Sequence, residues 1–305
     1  MELSDLRIFM AVADTGGITR AAQEMHTVQS NVSARLATLE RELGAPLFRR
    51  HPRGVSLTNA GEQLLPYARR ISELTEEARR AIGDDAVPSG PLRVGSMETT
   101  AGLRLPAVLS SFTAECPQVD LSLVTGPTES LVDDVLAYRL DGALVSGPIR
   151  HPDLVETAMF VEELVLVTAR WVVDLDTALL APGGPRVLVF RAGCSYRARL
   201  SQILTARGAA GVRLLEYGTL EGILGCVGAG LGVSLLPRAV VERHLADGRV
   251  RAHVLTEQES HAETIFVRRR DVRSSPALTR FVEHVHQAGQ PAVLQVVGGG
   301  HSTSS

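Results

Sequence analysis

The chain has 305 residues, of which 45% are apolar and 21% charged, and these values are typical of a globular protein large enough for two or three domains. A net charge of −3 excludes a generally basic nucleic-acid coat protein, so DNA binding has to rest on a local patch. All 31 basic residues are Arg, and the first 60 residues hold seven of them against six acidic residues. Residues 1–10 lack the apolar run of a signal peptide, and no segment approaches the roughly 18 consecutive apolar residues of a membrane span.

Three helical patterns open the chain. The first covers about 3–14 and has one apolar face, formed by Leu3, Leu6, Phe9, Met10 and Ala13. A Gly16-Gly17 break separates it from a second pattern over about 18–25, in which the small Ala21 and Ala22 face inward. The third covers about 28–43 and is expected to bury Val32, Leu36, Leu39 and Leu43. Short helices joined by tight turns predict a helix-turn-helix.

Polar residues on the third helix and a basic turn after it indicate DNA binding. The helix turns a short hydrogen-bonding set outward: Gln29, Ser30, Asn31, Ser33 and Arg35. Such residues suit the major groove, where the N-terminal residues of the motif's second helix meet base edges. The turn, with Arg49, Arg50 and Arg53 between two apolar stretches, predicts a β-hairpin wing that contacts phosphates. The alternative is a three-helix module without DNA, whose basic turn is only a solvated loop.

These residues resemble the N-terminal domain of LysR-type transcriptional regulators. The matching positions are Phe9, Val12, Ala21, Ala22, Gln29, Val32, Ser33, Leu39, Glu40, Leu43, Gly44, Leu47, Phe48, Arg50, Leu57, Thr58 and Gly61. The chain departs from the family at Val28, where Ser or Thr is common, and at Ser30-Asn31, where Pro-Ala is common. Because Val28 has no side-chain cap to offer, Thr27 or Ser30 is expected to cap the third helix. Asn31 adds a predicted base contact, since Asn pairs well with adenine.

A long helix is predicted over residues 59–83. Its narrow apolar stripe is typical of a coiled-coil seam and comprises Leu64, Tyr67 or Ala68, Ile71, Leu74, Ala78 and Ile82. The alternative is that this stripe packs against its own chain. The resemblance implies dimerisation through this helix, and further assembly to a tetramer. Residues 84–91 form a predicted hinge by composition.

From residue 92 short apolar strands alternate with helices, which predicts parallel α/β units. The strands are expected near 92–95, 120–125, 141–145, 187–190, 212–217, 233–235 and 264–267, with extended chain over 154–168. The helices are expected near 101–115, 128–138, 195–207, 219–228 and 276–287. This body resembles the family's effector-binding domain, built like a periplasmic solute-binding protein with two lobes and a cleft.

The predicted architecture is therefore an all-α winged helix-turn-helix, a linker helix and a two-lobed α/β domain. The predicted boundaries are 1–58 for the DNA-binding domain, 59–83 for the linker helix, 84–91 for the hinge and 92–288 for the effector-binding domain. Lobe I takes about 92–160 and 268–288, and lobe II about 161–267. The tail 289–305 is expected to be disordered.

Ligands of such sheets bind beyond the carboxyl ends of strands, near helix N-termini. The candidate effector residues are Ser96, Thr99, Thr100, Thr128, Ser146, Ser195, Tyr196, Arg197 and Thr219. Their hydroxyl groups, with Arg197, suit a carboxylate, although Ser and Thr at helix starts are also ordinary N-caps. Glu98, Glu129 and Glu221 flank these loops. Facing inward they indicate an effector with an amino group, and facing outward they are charges favoured by the helix dipole.

The sequence thus predicts a cytoplasmic, ligand-responsive transcription regulator. Its expected partners are double-stranded operator DNA, an organic acid or amino acid as effector, further copies of itself and RNA polymerase, with no membrane. No catalytic motif, cofactor site or metal-ligand spacing is found, so no enzymatic activity and no cofactor are expected. One alternative is a regulator that needs no ligand, and another is a thiol-based redox sensor acting through Cys194. Cys116 and Cys226 lie too far along the chain to form an evident disulfide framework with it.

Overall fold

This computed structural model describes residues 1–52, 54–82, 87–179, 184–190 and 195–289. Arg53, Cys194, the hinge residues 84–86 and the tail 290–305 lie outside the described residues, so the predictions made for them stay predictions. None of the described helices is long and apolar enough to cross a membrane.

The N-terminal head is a three-helix unit with a two-stranded wing. Its elements are α1 (Leu3–Thr15), α2 (Ile18–Glu24), α3 (Gln29–Leu43), β1 (Phe48–His51) and β2 (Gly54–Leu57). The core contains Leu6, Ile8, Phe9, Val12, Ala21, Ala22, Val32, Leu36, Leu39 and Leu47. The expected burial of Leu3 and Leu43 was wrong, since they are 45% and 41% exposed at helix ends that extend past the core.

Backbone geometry ends the helices and seats the wing. Gly16 and Gly44 end α1 and α3 in the left-handed region. The Val55 N–H donates to the Gly16 carbonyl at 3.2 Å, which joins the wing to the turn before α2. Gly54 has φ of 134°, and a Cβ there would lie 2.4 Å from the Gly16 oxygen, so only glycine fits this contact. The Glu40 carboxylate accepts the Leu47 N–H at 2.7 Å and ties α3 to the same wing.

The apolar stripe of the linker helix α4 (Asn59–Ile82) is partly covered by its own chain and partly exposed. Ala68 is fully buried, and Leu64 and Ile71 pack partly against the head core. On the other side, Tyr67 is 70% exposed and Leu74 is 46% exposed. The helix therefore packs against its own chain along one face and leaves a second apolar face uncovered within the protomer.

The body is built on one seven-stranded mixed sheet and a separate strand pair. The strands are β3 (Gly90–Ser96), β4 (Val119–Thr125), β5 (Gly142–Ser146), β6 (Leu154–Ala169), β7 (Arg186–Phe190), β8 (Arg213–Tyr217), β9 (Ser234–Pro237), β10 (Val250–His253) and β11 (His261–Arg269). The large sheet has the order β10-β6-β11-β5-β3-β4, with β9 also on β6. Only β3 with β4 and β5, and β7 with β8, are parallel, so the predicted parallel character holds for part of the body.

Strands β6 and β11 cross between the two lobes. They pair antiparallel along their length, and the register shifts between Thr264 and Ile265. Thr264 lies opposite Phe160 and Ile265 opposite Ala158, so Met159 is an extra residue on β6. This β-bulge lies where the chain passes from one lobe to the other.

Helices cover the sheet of each lobe. They are α5 (Glu98–Leu103), α6 (Leu105–Glu115), α7 (Thr128–Leu136), α8 (Leu175–Leu179), α9 (Ser195–Ala206), α10 (Leu220–Gly228), α11 (Arg238–Ala246), α12 (Glu257–Ser260) and α13 (Pro276–Gly289). The single helix predicted over 101–115 is two helices, because Pro106 in the first turn of α6 starts a new helix after Arg104. Strand β10 and helices α8, α11 and α12 were not predicted; β10, α8 and α12 have only four or five residues, too few to carry a clear period.

Candidate DNA-binding surface and effector cavity

The N-terminal turn of α3 presents a polar edge to solvent. Gln29, Ser30 and Asn31 are exposed and Ser33 is half-buried. Val28 is the N-cap residue and no side chain caps the helix, so the expected capping by Thr27 or Ser30 was wrong. The Thr27 hydroxyl instead accepts a hydrogen bond from the Asn31 side-chain amide at 3.0 Å.

Arg35 was predicted to face the major groove with these residues, but its guanidinium is bound to α1. Its Nε donates to the Asp5 carboxylate at 2.7 Å, and its Nη2 donates to the Ser4 hydroxyl at 2.5 Å. Burial alone would raise the pKa of Asp5, but hydrogen bonds from Arg35 and the Glu2 N–H outweigh it and hold that pKa below its ordinary value. The guanidinium therefore fastens α3 to α1.

Two exposed cations of the head lie on the wing. Arg49 and Arg50 lie on β1, opposite Ser56 and Val55 of β2, and both side chains are exposed. Within the part of the chain that the structure describes, neither guanidinium forms an ion pair. An unpaired guanidinium in water is available to a phosphate oxygen at little desolvation cost.

A cavity of about 210 Å³ lies between the two lobes of the body. Its lining comprises Met97, Glu98, Thr99, Thr125, Gly126, Pro127, Thr128, Phe190, Ser195, Tyr196, Tyr217 and Gly218. These residues follow the carboxyl ends of β3, β4, β7 and β8 or begin the helices after them. The cavity thus forms where the ends of parallel strands meet, at the position expected for a ligand in such a sheet.

Four of the nine predicted effector residues line the cavity: Thr99, Thr128, Ser195 and Tyr196. Sequence reasoning missed the apolar and aromatic lining, namely Met97, Pro127, Phe190 and Tyr217, and it also missed Thr125. A signal for them was present, because each lies at or directly after the carboxyl end of a strand. Met97, Pro127 and Phe190 have neither a hydroxyl group nor a guanidinium, and Thr125 and Tyr217 are the last residues of β4 and β8, whereas the prediction considered the loops after the strands.

The other five predicted effector residues are occupied elsewhere. Ser96 is fully buried and donates to the Met97 carbonyl at 3.1 Å, and Thr100 is buried outside the lining. The Ser146 N–H donates to the Thr128 hydroxyl at 3.3 Å, so Ser146 supports a lining residue. Thr219 caps α10, and Arg197 pairs with Glu216 of β8 and lies outside the lining.

Helix starts supply the polar character of the cavity. The residues before α5 and α7, Met97 and Pro127, give no side-chain cap, so the first N–H groups of both helices lack an internal partner. The Ser195 hydroxyl oxygen is buried and has no hydrogen-bond partner among the described residues. Glu98 is the charged member of the lining given above, whereas Glu129 and Glu221 lie outside it. The arrangement offers N–H donors to an anionic group and one carboxylate to a cationic group.

Two comparisons with known proteins bear on this architecture. Residues 3–62 match the model of the bacterial regulatory helix-turn-helix protein, lysR family, and residues 85–290 match the LysR substrate binding domain. The chain is 45% identical over 291 residues to the HTH-type transcriptional regulator GltR of Bacillus subtilis, covering 93% of this chain and 96% of that one.

The chain belongs to the LysR family of transcriptional regulators. Solved structures agree with this assignment. A full-length OxyR variant from Pseudomonas aeruginosa has a TM-score of 0.72 at 23% identity, covering 93% of this chain and 94% of that one. Full-length CbnR complexed with its target DNA has a TM-score of 0.63 at 26% identity, covering 94% and 100%. The family and the names of its members indicate a regulator rather than an enzyme.

Helix α7 of this LysR-family regulator joins the cavity to the head. Its first residue, Thr128, lines the cavity. Past its last residue, the Ala137 carbonyl accepts a hydrogen bond from Arg69 of α4 at 3.3 Å. Arg69 is 6% exposed and forms an ion pair with Asp14 of α1. Burial lowers the pKa of Arg69, and the Asp14 charge opposes that shift. One guanidinium therefore touches both the head and the end of the cavity helix.

A second contact between linker and body surrounds Tyr138, just beyond α7. Its hydroxyl donates to Asp271 at 2.7 Å, and the Arg269 guanidinium lies 4.2 Å from its ring centroid. Arg70 of α4 donates to the Asp271 backbone carbonyl at 2.9 Å. Hydrogen bonds from Arg269 and Tyr138 lower the pKa of Asp271 to about 2, against the effect of burial. The linker helix is thus held against the end of α7 at two successive residues.

No group of three or more His, Cys, Asp or Glu placed to hold a metal ion occurs among the residues that the structure describes. Cys116 is buried, and the Cys226 thiol donates to the Tyr217 hydroxyl at 3.0 Å. The hypothesis of a redox sensor rests on Cys194, which lies outside the described residues.

Proposed function

We propose that this regulator binds operator DNA through the N-terminal edge of α3 and the wing, and that an amino acid or related organic acid in the lobe cavity changes its affinity for DNA. The observation that carries the proposal is helix α7, whose N-terminus lines the cavity and whose C-terminal end contacts Arg69, the buried linker residue that pairs with Asp14 of the head. A ligand that favours one position of α7 then favours one position of the head.

The division of labour within the head follows from exposure and charge. Gln29, Ser30 and Asn31 offer uncharged donors and acceptors for base edges, while Arg49 and Arg50 offer unpaired charge for phosphates. The solved CbnR complex contains its target DNA, and the likeness to it supports DNA binding by the same module here.

The cavity supports a small, zwitterionic effector. Uncapped N–H groups at the starts of α5 and α7 suit a carboxylate, and a ligand would supply the hydrogen-bond partner that the buried Ser195 hydroxyl lacks among the described residues. Glu98 on the lining suits an ammonium group at the other end. Phe190 and Tyr217 leave an apolar part of the wall for the body of the ligand.

Pairing of subunits is proposed along the uncovered face of α4. Tyr67 and Leu74 are the exposed apolar residues of this face. Two heads related by two-fold symmetry bind two half-sites, and a tetramer binds two such pairs. Binding operator DNA places the protein in the bacterial cytoplasm, with RNA polymerase as a further partner. Sedimentation of the Tyr67→Glu/Leu74→Glu variant tests the pairing, with loss of the dimer as the expected outcome.

The experiment that tests the function is footprinting of DNA upstream of the protein's own gene, repeated with a panel of amino acids and organic acids. We expect a protected site whose extent or affinity changes with at least one ligand. Protection that no ligand alters would leave the alternative of a ligand-independent regulator. Binding no tighter to any fragment than to bulk plasmid would contradict the proposal.

The connection through α7 is tested with Asp14→Asn, which removes the head partner of Arg69 and leaves the Ala137 contact in place. We expect DNA affinity without ligand to stay within about threefold, because Asp14 is half-exposed and the Asn side chain keeps an oxygen that accepts a hydrogen bond from the Arg69 guanidinium. The ligand-induced change in affinity should shrink. Glu76→Gln is the matched control, since it breaks the exposed Arg7–Glu76 pair between α1 and α4 without touching α7. Equal responses of both variants would contradict the connection.

A further inference from the structure

The Asn31 amide differs from the rest of the polar edge because it is already held. Of the five residues predicted to face outward, Asn31 and Arg35 form side-chain hydrogen bonds among the described residues. Arg35 is directed to α1, whereas Asn31 bonds the Thr27 hydroxyl four residues earlier and remains exposed. Gln29 has one more rotatable bond and no such restraint.

Thr27 is itself fixed by the turn between α2 and α3. Its N–H donates to the Ala22 carbonyl at 2.9 Å, and the preceding His26 has φ of 51°, in the left-handed region. Val28 is the N-cap residue of α3, and no side chain caps the helix start. The Thr27 hydroxyl instead accepts a hydrogen bond from the Asn31 side chain. The acceptor thus belongs to the rigid turn.

The remaining groups of the amide match one base. A primary amide has two N–H donors and one carbonyl acceptor with two lone pairs. With Thr27 accepting the N–H that is anti to the carbonyl oxygen, the other N–H and that oxygen lie side by side. Adenine presents an acceptor at N7 and a donor at N6 in the major groove, the pattern that such an amide edge binds with two hydrogen bonds.

We propose that Thr27 is a positioning residue that orients Asn31 to read an adenine in the major groove. This inference rests on the proposed function, since it requires that α3 enters that groove. Its energetic basis is that the side chain loses little rotamer freedom on binding, because Thr27 has already restricted it.

The first experiment selects binding sites from a pool of randomised duplexes with the full chain, Asn31→Ala, Thr27→Val and Thr27→Ser. For wild type we expect one position dominated by adenine, and for Asn31→Ala the loss of that preference with roughly tenfold weaker binding to the selected site. Thr27→Val should weaken that site about threefold and relax the same position, while Thr27→Ser, which keeps the hydroxyl, should behave as wild type. Thr38→Val is the matched control, since the Thr38 hydroxyl bonds the Ala34 carbonyl on the same helix.

The second experiment replaces the selected adenine with 7-deaza-adenine, which lacks the N7 acceptor, or with purine, which lacks the N6 amino group. Each replacement should weaken wild type and leave Asn31→Ala unchanged. Thr27→Val should cost nothing further in the Asn31→Ala background, because Thr27 acts through Asn31.

Three results separate the possible failures. If wild type selects no sequence, the proposed function itself fails. If wild type selects a site and Thr27→Val changes neither affinity nor base preference, this inference alone is overturned. If Thr27→Val weakens selected and random DNA equally, or lowers the melting temperature more than Thr38→Val does, Thr27 serves the backbone contact or the fold, which also overturns it.

Discussion

The head exposes two unpaired guanidinium groups on its wing, whereas the described lining of the effector cavity contains no cationic side chain and offers helix N-termini instead. Both regions suit anionic groups, but the settings differ. An exposed guanidinium attracts the DNA phosphates from as far away as a Debye length. It stays hydrated when no DNA is bound, so its charge costs little free energy in the free protein. Inside a small cavity a guanidinium would need a counter-charge when the ligand is absent, and N–H dipoles avoid that cost.

Two further arginines, one in the head and one on the linker helix, show what a neighbouring carboxylate does to this residue. Arg35 is paired with Asp5, and the 6%-exposed Arg69 is paired with Asp14. Each holds two helices together and is unavailable to DNA. Availability to phosphate therefore depends on the absence of a nearby carboxylate, and Arg49 and Arg50 of the wing meet that condition among the described residues.

The largest expected effect breaks the shape of the head while leaving its charge intact. Gly54→Ala places a Cβ 2.4 Å from the Gly16 carbonyl oxygen at a φ of 134°. We expect a loss of about 2–3 kcal/mol in the free energy of unfolding of the head and roughly 100-fold weaker DNA binding, because the wing loses its seat on the turn. Urea unfolding and a gel-shift titration measure the two quantities.

The control for this change is Gly44→Ala, also at positive φ but with open space around the added Cβ. It should cost only the backbone strain, about 1 kcal/mol, and spare DNA binding. Comparable losses of DNA affinity in both variants would show that strain, rather than the contact with Gly16, is responsible.

Removing charge from the wing should have the next largest effect. Arg49→Ala/Arg50→Ala is expected to weaken binding to all sequences by roughly tenfold and to reduce the slope of log affinity against log salt by about 2, since each phosphate contact releases about one counterion. Fluorescence anisotropy between 50 and 200 mM salt, on the order of the physiological range, measures the slope. Arg213→Ala, an exposed arginine of β8, is the control and should leave the slope unchanged. A loss of affinity for cognate DNA alone would indicate that Arg49 and Arg50 contact bases rather than phosphates.

Glu98→Gln sharpens the contrast between the two regions by removing the charge of the cavity lining. We expect roughly tenfold weaker binding of amino acids in calorimetry, because their ammonium group loses its partner, and equal or tighter binding of simple carboxylic acids. Glu129→Gln serves as control, since that residue lies in the first turn of α7 but outside the lining. If Glu98→Gln leaves the relative affinities for amino acids and simple carboxylic acids unchanged, the cavity binds an acid without an amino group.

The smallest expected effect concerns acid stability at the contact between linker and body. The pKa of Asp271 falls from 3.8 to about 2 in the folded protein. Because the folded-state pKa lies below the unfolded one, the charge stabilises the fold above about pH 4 and this contribution is lost as the pH falls towards 2. The stability difference between wild type and Asp271→Asn should be constant from about pH 5 to 7 and shrink below about pH 4. A difference independent of pH would exclude this origin.

The head was largely predictable from its sequence, and the cavity was not. The helices and wing lie within one stretch of about 60 residues, so local periodicity and turn residues locate them. Arg35 was misassigned because its partner Asp5 lies 30 residues earlier on another helix. The cavity is assembled from the ends of four strands, and residues such as Phe190 and Tyr217 come together only once the strand order is known. Ser96 and Thr219 have the expected hydroxyl groups, but these form hydrogen bonds with backbone groups, the Met97 carbonyl and the Gly222 N–H.

The bulge at Met159 has a mechanical consequence. The paired strands β6 and β11 form a two-stranded ribbon that connects the lobes. Any rotation of one lobe relative to the other must therefore change the twist of this ribbon. The unpaired residue is where the ladder yields most readily. A ligand that drew the two lobes together would therefore twist this ribbon at the unpaired residue.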